Sequence, residues 1–280
     1  MSQQSKSMAD WLALFGQADI PVLRHTARDL AQLQADQSLL NASSIANVIT
    51  DDPLMTLKLL RYMQKHKSNS QAYELVDVKQ MLLMMGLDAF FRAVPAKPVV
   101  EESLQSHLDA LVCLLQTVRR AQRAADYAFD WALRLHDLHA QEVLVSALLF
   151  HVTEMLMWVF NPEQMLEIRK RQLADSTLRS ADVQTAVMGF PGVVLQRQLT
   201  LQWELPELLQ NMMDPSLAHT PRVRNVMLAV NLARHSAQGW DNAALPDDYV
   251  AIGALLRMEP ERVVSLVGGT PAALQDKPGD

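Results

Sequence analysis

The sequence predicts an all-α fold with a small N-terminal helical lobe, and three observations carry that expectation. Only 9 of the 280 residues are glycine, while Leu, Ala, Met and Gln are abundant, a balance that favours helix. Apolar residues recur at spacings of three and four, bounded by Asn, Asp and Ser caps and by proline at first helical turns. No segment alternates as a strand does, and no internal repeat is present.

Residues 1–14 read as an N-terminal lead, the first ten of them polar and disordered, with Trp11, Leu12, Leu14 and Phe15 as a short apolar anchor closed by Gly16. A helix is expected from Ile20 and Pro21 through Leu23, Ala27, Leu30 and Leu33. Asn41 opens the next, with Ile45, Val48 and Ile49 on its apolar side. Asp52 then caps a helix that has Pro53 in its first turn and Leu54, Leu57, Leu60 and Met63 as apolar positions. Residues 65–71 read as a loop. Asp77 caps a helix stopped by Gly86, and a short helix follows over residues 87–94. The segment 95–103, PAKPVVEES, is linker-like.

A long helical pattern covers residues 104–138, with Ala121, Ala124, Ala125 and Ala128 as a small-residue stripe suited to close packing. The run 143–160, VLVSALLFHVTEMLMWVF, is apolar on every side and has His151 and Glu154 as its only ionisable groups. Two such groups in mid-helix disfavour a membrane span, so the run is expected to be the central buried helix around which the core is built. Asn161 and Pro162 end it and start an amphipathic helix. Shorter helices are expected over 180–189, 192–203 and 206–213, then one from Thr220 and Pro221 toward Gly239, and two more over 247–258 and 260–267. Residues 270–280 are expected to be disordered.

A formal charge of -6 argues against a nucleic-acid footprint. The single Cys113 excludes an internal disulfide and reads as a buried small hydrophobe in a reducing compartment. The polar start MSQQSKSMAD has no apolar signal core, which makes the cytoplasm the default location.

Several stretches stand in a fixed order: Ile20-Pro21, ANVITDDPLMTLKLLRYM with Asp52-Pro53, LVDVKQMLLMMGL with Met85-Gly86, and SALLFHVTEML. Together they resemble the HDOD family, bacterial signalling relatives of the HD phosphohydrolases, with SALLFHVTEML where HD proteins have Leu-Leu-His-Asp-Ile-Gly. MGFPGVVLQRQLTLQWELP keeps the family's spacing of fourteen from Gly189 to Trp203, and VNLARHSAQG resembles a later helix. The resemblance implies an HD-like helical bundle over residues 15–240, with 241–269 as helices packed on the same domain.

It also implies where a metal site would stand. An HD centre gathers His and Asp side chains around metal, which makes a hydroxide nucleophile and neutralises phosphate charge. Here Phe150 falls at the histidine of the His-Asp pair and His151 at its aspartate. Gly192 falls at the next histidine, Met212 and Met213 at a His-His pair, Arg234 at the final aspartate and Arg120 at the first histidine. Phenylalanine, glycine and methionine cannot hold a hard divalent cation, and arginine repels one. No catalytic residue, metal or cofactor is therefore expected. The polar residues left to the remnant cleft are Arg120, His151, Glu154 and Arg234.

The alternatives are a His151-Glu154 metal pair completed from an opposite helix, and a divergent metal-dependent phosphohydrolase acting on a nucleotide or cyclic dinucleotide. A third is a sensor that binds a small anion in the remnant cleft through Arg120 or Arg234. The favoured reading makes His151 a hydrogen-bonded core residue and pairs Glu154 with Arg120 or Arg234. A literal His136-Asp137 pair, with His139 and Glu142 beyond, reads as solvated, as do Arg119-Arg120-Arg123, Arg169-Lys170-Arg171 and Glu101-Glu102. Met81, Met84, Met85, Met155, Met157, Met212 and Met213 read as core filler in preference to an adaptable binding surface. No nucleophile elbow or phosphate-binding loop occurs. The expected role is non-catalytic signalling through a separate protein partner, with no nucleic acid and no membrane.

Overall fold

The computed structural model of the chain describes residues 6–36, 38–67, 76–175, 177–212 and 214–269. Its first helix, α1 (Met8–Gln17), starts earlier than expected because Ser7 and Asp10 form a reciprocal capping box. Residues 8–14 are thus part of a helix that buries Trp11 and Phe15. The segment before α2 (Arg24–Ala35) is extended, so that helix begins later than Pro21 suggested. Val22 makes a parallel bridge with Val99, donating to the Pro98 carbonyl and accepting from the Val100 amide, both at 2.9 Å. No strand longer than this bridge is present among the described residues.

Helices α3 (Ala42–Thr50) and α4 (Pro53–Lys65) begin at the predicted caps Asn41 and Asp52. Asp52 does more than cap. One carboxylate oxygen accepts the Leu54 and Met55 amides at 2.8 and 3.2 Å, and the other accepts the Leu23 amide at 2.8 Å. The fully buried side chain therefore ties the extended segment before α2 to the start of α4. Helix α5 (Val78–Met85) is capped by Asp77 and closed by Gly86, which takes φ 79°. Two short helices, α6 (Leu87–Ala93) and α7 (Val100–Ser103), complete the N-terminal lobe. Of the loop expected over 65–71, Lys65 belongs to α4, and residues 68–71 lie outside the described residues.

The organising element is α8 (Leu108–Arg134), 27 residues long and so about 40 Å at 1.5 Å per residue. It is shorter at both ends than the pattern over 104–138 suggested. The stripe Ala121, Ala124, Ala125 and Ala128 is buried, and these small side chains let neighbouring helices approach closely. Onto α8 pack α4, α9 (Ala140–Leu149), α10 (Val152–Phe160), α11 (Pro162–Ala174) and α15 (Pro221–His235). The expected single central helix over 143–160 is two helices, α9 and α10, broken at Phe150-His151. They lie against α8 and do not themselves form the axis of the core. Two thirds of the apolar stretch is buried, as befits core helices.

Helices α12 (Ser180–Met188), α13 (Gly192–Gln202) and α14 (Glu207–Asn211) enclose the far side of α9 and α10. Gly189 ends α12 in the left-handed region at φ 88°. Asn225 on α15 donates to the Ala128 carbonyl of α8 at 3.0 Å, linking the two helices through a buried bond. Helices α16 (Leu245–Leu256) and α17 (Pro260–Val267) stack outward from α15. The tail expected over 270–280 lies outside the described residues.

Candidate functional site: a methionine-lined remnant cleft

The break between α9 and α10 is where the site is made. The carbonyl of Phe150 accepts the side-chain amide of Gln196 on α13, and the Phe150 amide reaches back to Ala147 at 3.3 Å. His151 follows with φ -104° and ψ 18°, outside helical geometry, and its carbonyl accepts the Met155 amide as α10 begins. This turn points Phe150 and His151 toward α12 and α13 across a cleft of about 600 Å³.

Four of the positions assigned from sequence meet along that cleft: Phe150, His151, Gly192 and Met212. Met213 lies outside the described residues. Arg120 and Arg234 are not among the residues that line the cleft, although the charges of both act on His151. Arg234 is exposed on α15 and contacts Asn231 Oδ1 at 3.4 Å and His235 Nε2 at 3.0 Å. Arg120 stands behind Glu154, its guanidinium 3.4 Å from Glu154 Oε1, so the pairing expected for Glu154 is made by Arg120.

His151 is a wall of the cleft and not a core histidine: its side chain is 25% exposed, and Nδ1 is 3.6 Å from Glu154 Oε2, beyond hydrogen-bond length. Desolvation pushes the imidazole pKa down. The Glu154 carboxylate opposes that shift, and the charges of Arg120 and Arg234 reinforce it.

The residues present do not fit a metal. No group of three or more His, Cys, Asp or Glu side chains is placed to hold a cation among the described residues. Gly192 brings no donor side chain to the cleft. Its amide donates to Gln184 Oε1 at 2.8 Å, and a Cβ built there would meet the same oxygen at 3.2 Å. A side chain at 192 would require the flexible end of Gln184 to give by a few tenths of an ångström. The remaining lining includes Met157, Met165, Met188 and Met227, with the Thr153 hydroxyl buried and without a hydrogen-bond partner. Sequence reasoning missed Met165, Met188, Met227, Gln184 and Gln196. The density of methionine was the one available signal. Met81 and Met155 are core filler as expected, whereas Met84 is exposed.

The literal His136-Asp137 pair is not merely solvated. Arg222 on α15 grips Asp137 through two bonds of 2.8 Å and approaches Glu142 at 3.6 Å. Burial pushes the Asp137 carboxyl up, but the bonds from Arg222 and the His139 amide outweigh it, and the net shift is downward. Glu101 likewise accepts the Arg24 amide at the start of α2, at 3.0 Å. Both are structural ties.

The HDOD domain profile matches residues 20–218. The chain belongs to the HDOD family. Among solved structures, MmoQ response regulator from Methylococcus capsulatus str. Bath superposes with a TM-score of 0.61 at 17% identity, over 92% of this chain and 98% of its own. A virulence factor from Campylobacter jejuni subsp. jejuni also superposes at 0.61 and 17% identity, over 96% of this chain and 94% of its own. These likenesses establish an HDOD-type helical fold. No curated protein resembles the sequence at a significant level.

Proposed function

We propose that this HDOD chain is a non-catalytic regulatory domain of a cytoplasmic signalling system, acting through a separate protein partner. The observation that carries the proposal is the lining of the cleft, which is largely apolar and rich in methionine. Phe150 and Met212 stand where the resemblance puts donor side chains, and Gly192 brings none. A hydrolase of this kind needs a cation to generate hydroxide and to neutralise the leaving oxygen. One neutral imidazole beside one arginine-paired carboxylate supplies neither function. The fold shared with a protein named as a response regulator supports the signalling part of the reading. In this proposal residues 15–240 form the domain and 241–269 extend it.

The test is phosphate release from mononucleotides and cyclic dinucleotides with manganese added. The proposal predicts a rate at buffer background that His151→Ala leaves unchanged. Turnover above background that disappears in His151→Ala would establish a phosphohydrolase instead.

A further inference from the structure

Behind the cleft, on the other side of Glu154, lies a second cavity of about 440 Å³. Arg119, Arg120 and Arg123 from α8 and Arg169 from α11 line it, with Glu154 as the only carboxylate in its lining among the described residues. Four guanidinium groups against one carboxylate leave an excess of three positive charges, on a chain whose net charge is -6. The acceptors that orient these arginines are mostly neutral. Arg169 meets Gln116 Oε1 at 3.4 Å, and Arg123 meets the Tyr127 hydroxyl at 3.0 Å and the Ser236 carbonyl at 3.5 Å. Neutral acceptors fix direction without cancelling charge. Arg120 is shared between the Thr117 hydroxyl at 3.0 Å and Glu154 at 3.4 Å, and its Nε is buried with no hydrogen-bond partner.

From this geometry we infer that the arginine-lined cavity is a binding site for a small ligand carrying a phosphoryl group. Like charges that line one recess repel one another, and a compact dianion lowers that cost. The planar fork of arginine matches phosphate oxygens two at a time. Low-dielectric walls around a charged recess concentrate its field, so an acidic protein can still recruit an anion there. The volume admits a phosphate with a further organic portion. The site is separate from the remnant cleft, and the inference stands whether or not that cleft is inert. Glu154 forms the wall common to both, with Oε1 toward Arg120 and Oε2 toward His151.

The test is calorimetric titration of the full chain with orthophosphate, pyrophosphate and ATP at constant ionic strength. Arg123→Gln/Arg169→Gln, the exposed single variant Arg169→Gln and the control Arg171→Gln are titrated alongside. The expected result is saturable binding, weakened at least about tenfold in the double variant and measurably in Arg169→Gln, with Arg171→Gln unchanged, as befits loss of charge-assisted bonds. Orthophosphate binding as tightly as ATP would identify a free anion as the ligand, and tighter ATP binding a phosphoester; either supports the site. Absence of saturable binding by all three, or binding indifferent to both variants, would overturn it.

Discussion

At the scale of single residues, the side chains that look most like chemistry are the ones the fold uses as ties. His136-Asp137 carries the dipeptide for which HD proteins are known, yet Asp137 faces Arg222 across two short bonds. No local pattern reveals this, since the partner is 85 residues away. The net downward shift of the Asp137 pKa sets the sign of its pH dependence. Its contribution is present above the unfolded carboxyl value and is lost as pH falls through the lower folded value. Arg222 is more than a third exposed, so solvent screening limits the pair to about 1 kcal/mol. Urea unfolding of Asp137→Asn at neutral pH should show that loss, and a smaller difference from the native chain near pH 3.

His151 has the opposite behaviour, because its folded pKa lies below the ordinary 6.5. Below pH 6.5 the unfolded chain binds a proton that the folded chain resists, so stability falls as pH drops through that window. His151→Gln should flatten this part of the stability profile, as read by urea midpoints at pH 7.5 and 5.5. An unchanged slope would mean the imidazole protonates as readily in the folded chain.

At the scale of elements, helix starts and stops encoded by neighbouring residues were legible, and those imposed from a distance were not. Asn41, Asp52, Asp77, Gly86 and Gly189 mark boundaries in both sequence and structure, because a cap acts within three residues. The break at Phe150-His151 was hidden, since the Gln196 amide that takes the Phe150 carbonyl comes from another helix. The late start of α2 has the same origin, in bonds to residues near Pro98 and to Asp52. Asp52→Ala should leave the Leu23, Leu54 and Met55 amides without this acceptor and cost about 2 to 4 kcal/mol in chemical unfolding. Along α8, enlarging the stripe by Ala124→Leu should overpack the contact with its neighbours and cost about 1 to 3 kcal/mol. A cost near zero would show that the helices do not pack as closely there as the burial of Ala124 indicates.

At the scale of the whole molecule, the fold class and family were readable because many weak signals agreed in order along the chain, and the profile match over 20–218 accords with them. The site was readable only in part. Phe150, His151, Gly192 and Met212 line one cleft and Arg120 and Arg234 do not; for Arg120 the long helix offered no firm register. The arrangement around α8 puts a methionine-lined cleft and an arginine-lined cavity back to back, with Glu154 between them. That arrangement gives the domain two chemically distinct recesses and, in our reading, no reactive centre.

The most direct measurement of that reading is the metal content of the purified chain after incubation with excess manganese or iron and desalting, by mass spectrometry. The account predicts far less than one ion per chain, with no difference between the native protein and His151→Ala. Retention of one or more ions per chain, lost on replacing His151, would contradict it.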